Sequence, residues 1–172
     1  MTTQQTRVLH LAASVEAPDA PGSTIEWVQQ IDRERWAPSI VTTEPAANTG
    51  LAECERYADE VWDLADLMPG ASFPEFIVTL IESREVEVLH IFDSRLGYDL
   101  LPDIACLPHP PVICARMDER RDGRGYVRYV TRRYGNLVDA FSASSESMKD
   151  TIVAEEIPAS RIDAMHSPRK MP

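Results

Sequence analysis

The chain has 172 residues, 44% of them hydrophobic and 26% charged, with a formal net charge of -11. This balance supports a folded core rather than disorder, and the length suits one domain. The acidic excess argues against a general nucleic-acid partner.

The three cysteines, Cys54, Cys106 and Cys114, are odd in number and lack metal-type spacing. They read as reduced thiols. No apolar leader precedes the first strand pattern, and no run reaches the roughly 18 apolar residues of a membrane span. The expected location is cytoplasmic.

The pattern begins with a strand at residues 8–13, Val-Leu-His-Leu-Ala-Ala. A loop with Pro18 and Pro21 follows, and Gly22-Ser23-Thr24 opens a helix carrying Trp27, Val28 and Ile31. Ser23 or Thr24 suits its cap. Residues 36–41 read as a second strand, 51–58 as a short helix and 60–64 as a short strand. Phe73, Phe76, Ile77, Leu80 and Ile81 fall at helical spacing and define the clearest amphipathic helix. Val88-Leu89-His90-Ile91-Phe92 has the apolar, β-branched content of a strand covered on both faces. It breaks into Asp93-Ser94-Arg95. A helical stripe follows through Leu96, Leu100, Leu101, Ile104 and Ala105, closed by Pro108. Residues 111–114 extend as a fifth strand, 126–138 form a helix, 140–143 a strand, and Ser144 or Ser145 caps a helix through Ala154. A final strand is expected at 162–165.

Strands alternate with helices throughout, so right-handed crossovers predict an α/β fold: a Rossmann-like, doubly wound, mostly parallel sheet with helices on both faces. Ligands of such sheets sit beyond the carboxyl ends of the strands. That places Asp93, Ser94 and Arg95 at one candidate site. Binding a polyol or phosphate and capping the next helix are equal contenders for Asp93 and Ser94. His10 and His90 lie inside strand patterns and read as core histidines. Asp118 and Glu119 stand past the fifth strand as acid or base candidates. Gly22, Ser23 and Thr24 sit where such folds hold phosphates, although the dinucleotide fingerprint with its three glycines is absent. Arg124, Arg128 and Arg132 recur every four residues in an arginine-rich stretch, forming a row on a helix. A solvated face paired with acids and an anion-binding face both fit that row. No metal constellation or cofactor motif is present.

The stretch from residue 88 to 145 resembles the N-terminal domain of family 4 glycosyltransferases, retaining enzymes of the two-domain GT-B fold. Val88-Leu89-His90, residues 94–102, Pro110-Pro111-Val112 and above all residues 125–142 carry the likeness, with Ser144-Ser145-Glu146 after them. The start, residues 7–11, and Gly22 before a helix also fit. The resemblance implies an acceptor-binding half of an enzyme that takes sugar from a nucleotide-sugar, with no metal. Gly22, Ser23 and Thr24 would approach the donor phosphates. Asp93, Ser94, Arg95, Arg116 and Met117 would line the acceptor side.

Two departures stand out: one glycine where the family often has two, and Met117 where many members place a histidine. The expected layout is one domain over residues 1–166, with 167–172 as a tail or linker. The partner expected is a C-terminal donor-binding domain beyond Pro172, without which the chain alone would be inactive. A small-molecule or glycan acceptor and a peripheral membrane contact complete the expected partners. A non-catalytic domain binding an anion or protein is the alternative.

Overall fold

The computed structural model describes residues 5–16, 23–45, 48–118 and 126–164. In chain order the elements are β1 (Thr6–Ala12), α1 (Thr24–Gln29), β2 (Trp36–Thr42), α2 (Leu51–Cys54), β3 (Glu60–Asp63), α3 (Leu64–Leu67), α4 (Phe73–Ser83) and β4 (Val88–Phe92). They continue with α5 (Arg95–Asp99), α6 (Leu101–Ile104), β5 (Val112–Met117), α7 (Tyr126–Tyr134), β6 (Ala140–Ala143), α8 (Glu146–Ala154) and β7 (Ile162–Ala164). Residues 167–172 lie outside the described residues.

The seven strands form one sheet in the order β3-β2-β1-β4-β5-β6-β7, and every named pair is parallel. This is the doubly wound α/β architecture that the alternating elements predict, and it is parallel throughout. The order reverses between β1 and β4. Right-handed crossovers on the two sides of that point send helices to opposite faces.

The packing follows this rule. Leu9, Leu11, Leu89 and Ile91 join a large core with Ile77 and Ile81 of α4, Leu101 of α6, Val130 of α7 and Ile152 of α8. Val15, Ile25, Val28, Ile40 and Cys54 make a separate, smaller core under α1 and α2. The strand period of two explains the division. In β1, Leu9 and Leu11 point to the large core, and His10 points to the α1 side.

Several elements differ from the sequence pattern: α2 stops at Cys54 rather than running to Ala58, and α3 follows β3 where the pattern predicts no helix. The stripe from Leu96 to Ala105 divides into α5 and α6, with Pro102 in the first turn of α6. A proline has no N–H for the helical ladder, so one continuous helix is disfavoured there. The helix expected over 126–138 ends at Tyr134, with Gly135 following. β5 runs on to Met117, because its register with β4 and β6 supplies backbone partners past Cys114. Arg116 and Met117 are therefore strand residues and alternate between faces.

α5 approaches the sheet closely at Gly97. A Cβ built there would lie 2.7 Å from Leu11 Cδ2 and 3.1 Å from Ile91 Cγ2. Both neighbours are wholly buried and have little room to move. Gly97→Ala should therefore lower unfolding stability by about 1–3 kcal/mol. The expected reading is a lower urea midpoint at unchanged m; an unchanged midpoint would contradict this seating of α5.

Candidate functional site

The reversal of strand order sets a switch point, and folds of this class meet ligands at the edge beyond it, here past the carboxyl ends of β1 and β4. Its rim is tied together by backbone and hydroxyl bonds. The Ala13 amide donates to the Phe92 carbonyl at 3.1 Å, and the Thr43 amide to the Ala12 carbonyl at 3.0 Å. The Thr43 and Ser94 hydroxyls meet at 2.8 Å. Asp93 bridges to Ala12 and has φ of 55°, in the left-handed region that few non-glycine residues enter.

Ser94 is fully buried and caps α5, its Oγ accepting from the Gly97 amide at 3.1 Å. Its hydroxyl is occupied by the cap and by Thr43, so it shapes the rim. Asp93 is buried beside it, and its charge acts on the wholly buried Tyr98. Burial first, then Tyr126 and Asp93, push the Tyr98 hydroxyl well above its ordinary value. Arg95 departs from its two neighbours. Its exposed guanidinium lies 5.3 Å from the Tyr129 ring centre and 3.7 Å from Asp99 on the outer side of α5.

Two short interactions strengthen that outer side. Tyr129 donates to Asp99 at 2.5 Å, and Tyr134 donates to the same carboxylate oxygen. Burial alone would raise Asp99, but these bonds, with Arg95 and Arg133, outweigh it and hold the carboxyl below its usual value.

β5 separates two more predicted residues. Arg116 is buried, with its guanidinium 5.0 Å from the Phe92 ring centre. Met117, one residue on, is wholly buried in the large core and lines no cleft surface. Asp118 is buried at the strand end; Glu119 lies outside the described residues.

Near α1, Ser23 accepts from the Glu26 amide at 3.2 Å and caps the helix, while Gly22 lies outside the described residues. In the arginine row, Arg132 sits 2.8 Å and Arg128 3.9 Å from Glu155, and Arg124 is not described. The described part of the row thus faces the acid that caps the end of α8.

The least expected feature is the contact between His10 and His90. Their Nδ1 atoms are 2.8 Å apart, and His10 Nε2 lies 3.2 Å from the Thr24 hydroxyl. Trp27 stacks on His10 with ring centres 4.4 Å apart and sits 4.9 Å from His90. Burial, then His90 and Arg116, hold His10 well below the imidazole range. Burial followed by Arg116 brings His90 to about 3. Both rings are neutral near pH 7, and one Nδ1 donates while the other accepts. Core burial matches the sequence reading; mutual pairing was missed. The available signal was that each histidine is the third residue of its expected strand, 8–13 and 88–92, which pairs them once β1 and β4 are neighbours in register.

Among the described residues, no group of three or more metal-ligating side chains is placed to hold a metal, and no helix is long and apolar enough to cross a membrane.

No protein-family model matches the sequence, and no curated protein matches it. Solved structures match the fold. HepE from Anabaena in complex with UDP superposes with a TM-score of 0.61 at 12% identity, over 94% of this chain and 44% of that one. Its complex with UDP-glucose gives 0.60 at 11% identity, and that with UDP and glucose 0.59 at 14%, each over 95% of this chain and 44% of the other. The chain spans less than half the length of these proteins.

The rim geometry gives a direct check. Ser94→Ala removes the α5 cap and the Thr43 partner, so stability should fall by about 0.5–2 kcal/mol. Thermal or urea unfolding would read this, and a change within error would show that Ser94 does not hold the rim.

Proposed function

We propose that this chain forms the acceptor-binding half of a retaining, two-domain GT-B glycosyltransferase that draws sugar from a nucleotide-sugar. The observation that carries this reading is the fold match: nearly the whole chain superposes on less than half of a protein held with UDP-glucose. The buried polar residues beside the switch point of the doubly wound sheet support it.

In this reading Asp93 and Asp118 accept hydrogen bonds from acceptor hydroxyls, and the Arg116 guanidinium orients an electron-rich oxygen. Each is buried at or near the carboxyl edge. Ser94 positions Asp93 through the cap. In the same reading Ser23 and Thr24, at the start of α1, would meet the donor phosphates. A second domain would close over this edge, bringing donor to acceptor and excluding water, which promotes transfer over hydrolysis. The alternative, an anion-binding domain acting through the arginine row, is disfavoured by Glu155, which offsets Arg128 and Arg132.

Two measurements test the proposal. In 15N-labelled protein, a panel of mono- and disaccharides should shift the amide signals of Ala13, Asp93, Ser94 and Asp118. Shifts confined to the opposite edge, around Arg7 and Glu60, would sink the acceptor assignment. The 172-residue chain alone should release no UDP from UDP-glucose; release at enzyme-like rates, about 1 s⁻¹ or more, would overturn its assignment as one half of a transferase. Replacing both Arg128 and Arg132 by Ala should leave the saccharide shifts unchanged and alter stability by less than about 1 kcal/mol.

A further inference from the structure

The His10–His90 pair takes no part in the proposed transfer. It lies in the wall between the central strands and α1, and it holds α1 in two ways. Thr24 in the first turn bonds His10 Nε2, and Trp27 one turn later lies against both rings. The rest of the α1 contact is the small core of Val15, Ile25, Val28, Ile40 and Cys54. That core is separate from the large cluster that secures the other face of the sheet. A six-residue helix on a satellite core is a segment that can open without global unfolding.

The groups around the pair make this contact sensitive to protons. Arg116 on β5 acts on both rings, and His90 acts on His10. Cys114 is next to His90 in register, Ile40 next to His10, and Phe92 lies 6.1 Å from His10 between ring centres. Thr24 and Trp27 close the α1 side. Of the acids beyond the strand ends, Asp93 follows β4 three residues after His90, and Asp118 follows β5 two residues after Arg116. One added proton brings a second positive charge near Arg116 in a dry site. A second proton leaves two Nδ1–H donors facing each other across 2.8 Å, with no acceptor between them.

We infer that the His10–His90 pair is an acid-operated latch: neutral, it holds α1 on the sheet through Thr24 and Trp27, and protonated, it releases α1 while the sheet stays folded. The direction follows from linkage. Both folded-state values lie below the ordinary imidazole value of about 6.5. The released state therefore binds more protons. Docking is complete above that value and is lost as pH falls below it. The released fraction grows about tenfold per pH unit for each proton taken up. Release would move Ser23 and Thr24, so ligand contact on that side would weaken in acid. The latch itself does not depend on the transferase reading.

Labelling with 5-fluorotryptophan tests this in the intact chain, because the three tryptophans, Trp27, Trp36 and Trp62, give separate 19F signals. Trp27→Phe assigns the reporter. Between pH 8 and 4.5 the Trp27 signal should shift with a midpoint below 6.5, while Trp36, Trp62 and far-UV circular dichroism hold steady. A Trp27 signal that stays constant over this range would overturn the latch. So would a single transition in which all three signals and the circular dichroism change together. In His10→Asn the separate Trp27 transition should disappear; its persistence also overturns the proposal. Should that variant not fold at pH 8, imidazole 15N shifts of the unaltered protein decide. Protonation of a ring across the Trp27 transition supports the latch, and two rings neutral throughout would refute it.

Discussion

The adjacency of β1 and β4 organises this molecule. The two strands run parallel with Val8 opposite Val88 and His10 opposite His90, yet the chain leaves them in opposite directions across the sheet. This divergence makes a switch point at their carboxyl ends and sends α1 to one face and α5 to the other. Gly97 lets α5 sit directly on Leu11 and Ile91, which fixes the height of the Ser94 cap. The cap, the Thr43 hydroxyl and the Asp93 bridge then close the rim. A local change at any of these positions is felt at the site through rigid backbone.

The carboxyl edge concentrates costly groups. Asp93, Asp118, Arg116, His10 and His90 are all buried within or near it. Burying charge is costly and has to be offset locally. Each type is eased differently. Arg116 lies over the Phe92 ring, the histidines give up their charge and share a proton, and Asp93 adopts a left-handed backbone beside the Tyr98 and Tyr126 pair. A pre-formed polar edge of this kind suits recognition of a hydroxyl-rich ligand, as the transferase reading requires.

Much of the fold was legible because its signals are local. The apolar run of β4, the stripe of α4 and the serine caps at Ser23, Ser94 and Ser145 depend on residues within a few positions of one another. Capping by Asp93 and by Ser94 could not be separated from sequence, and the structure divides them: Ser94 caps α5, while the charge of Asp93 acts on Tyr98. The length of β5 was underestimated, because its last residues are held by register with β4 and β6 rather than by composition. That error affects the site, since strand alternation puts Arg116 by the histidines and sinks Met117 into the core. The arginine spacing was visible at once. Its partner Glu155 was not, because it caps the end of another helix.

The sequence by itself determined the class of fold and the parallel sheet with its single carboxyl edge, because hydrophobic period and turn chemistry act along the chain. Tertiary structure alone decided which polar residues share that edge. His10 and His90 are 80 positions apart and become partners only when β1 and β4 pair in register. Contacts of that range depend on strand order and face, which no local pattern encodes.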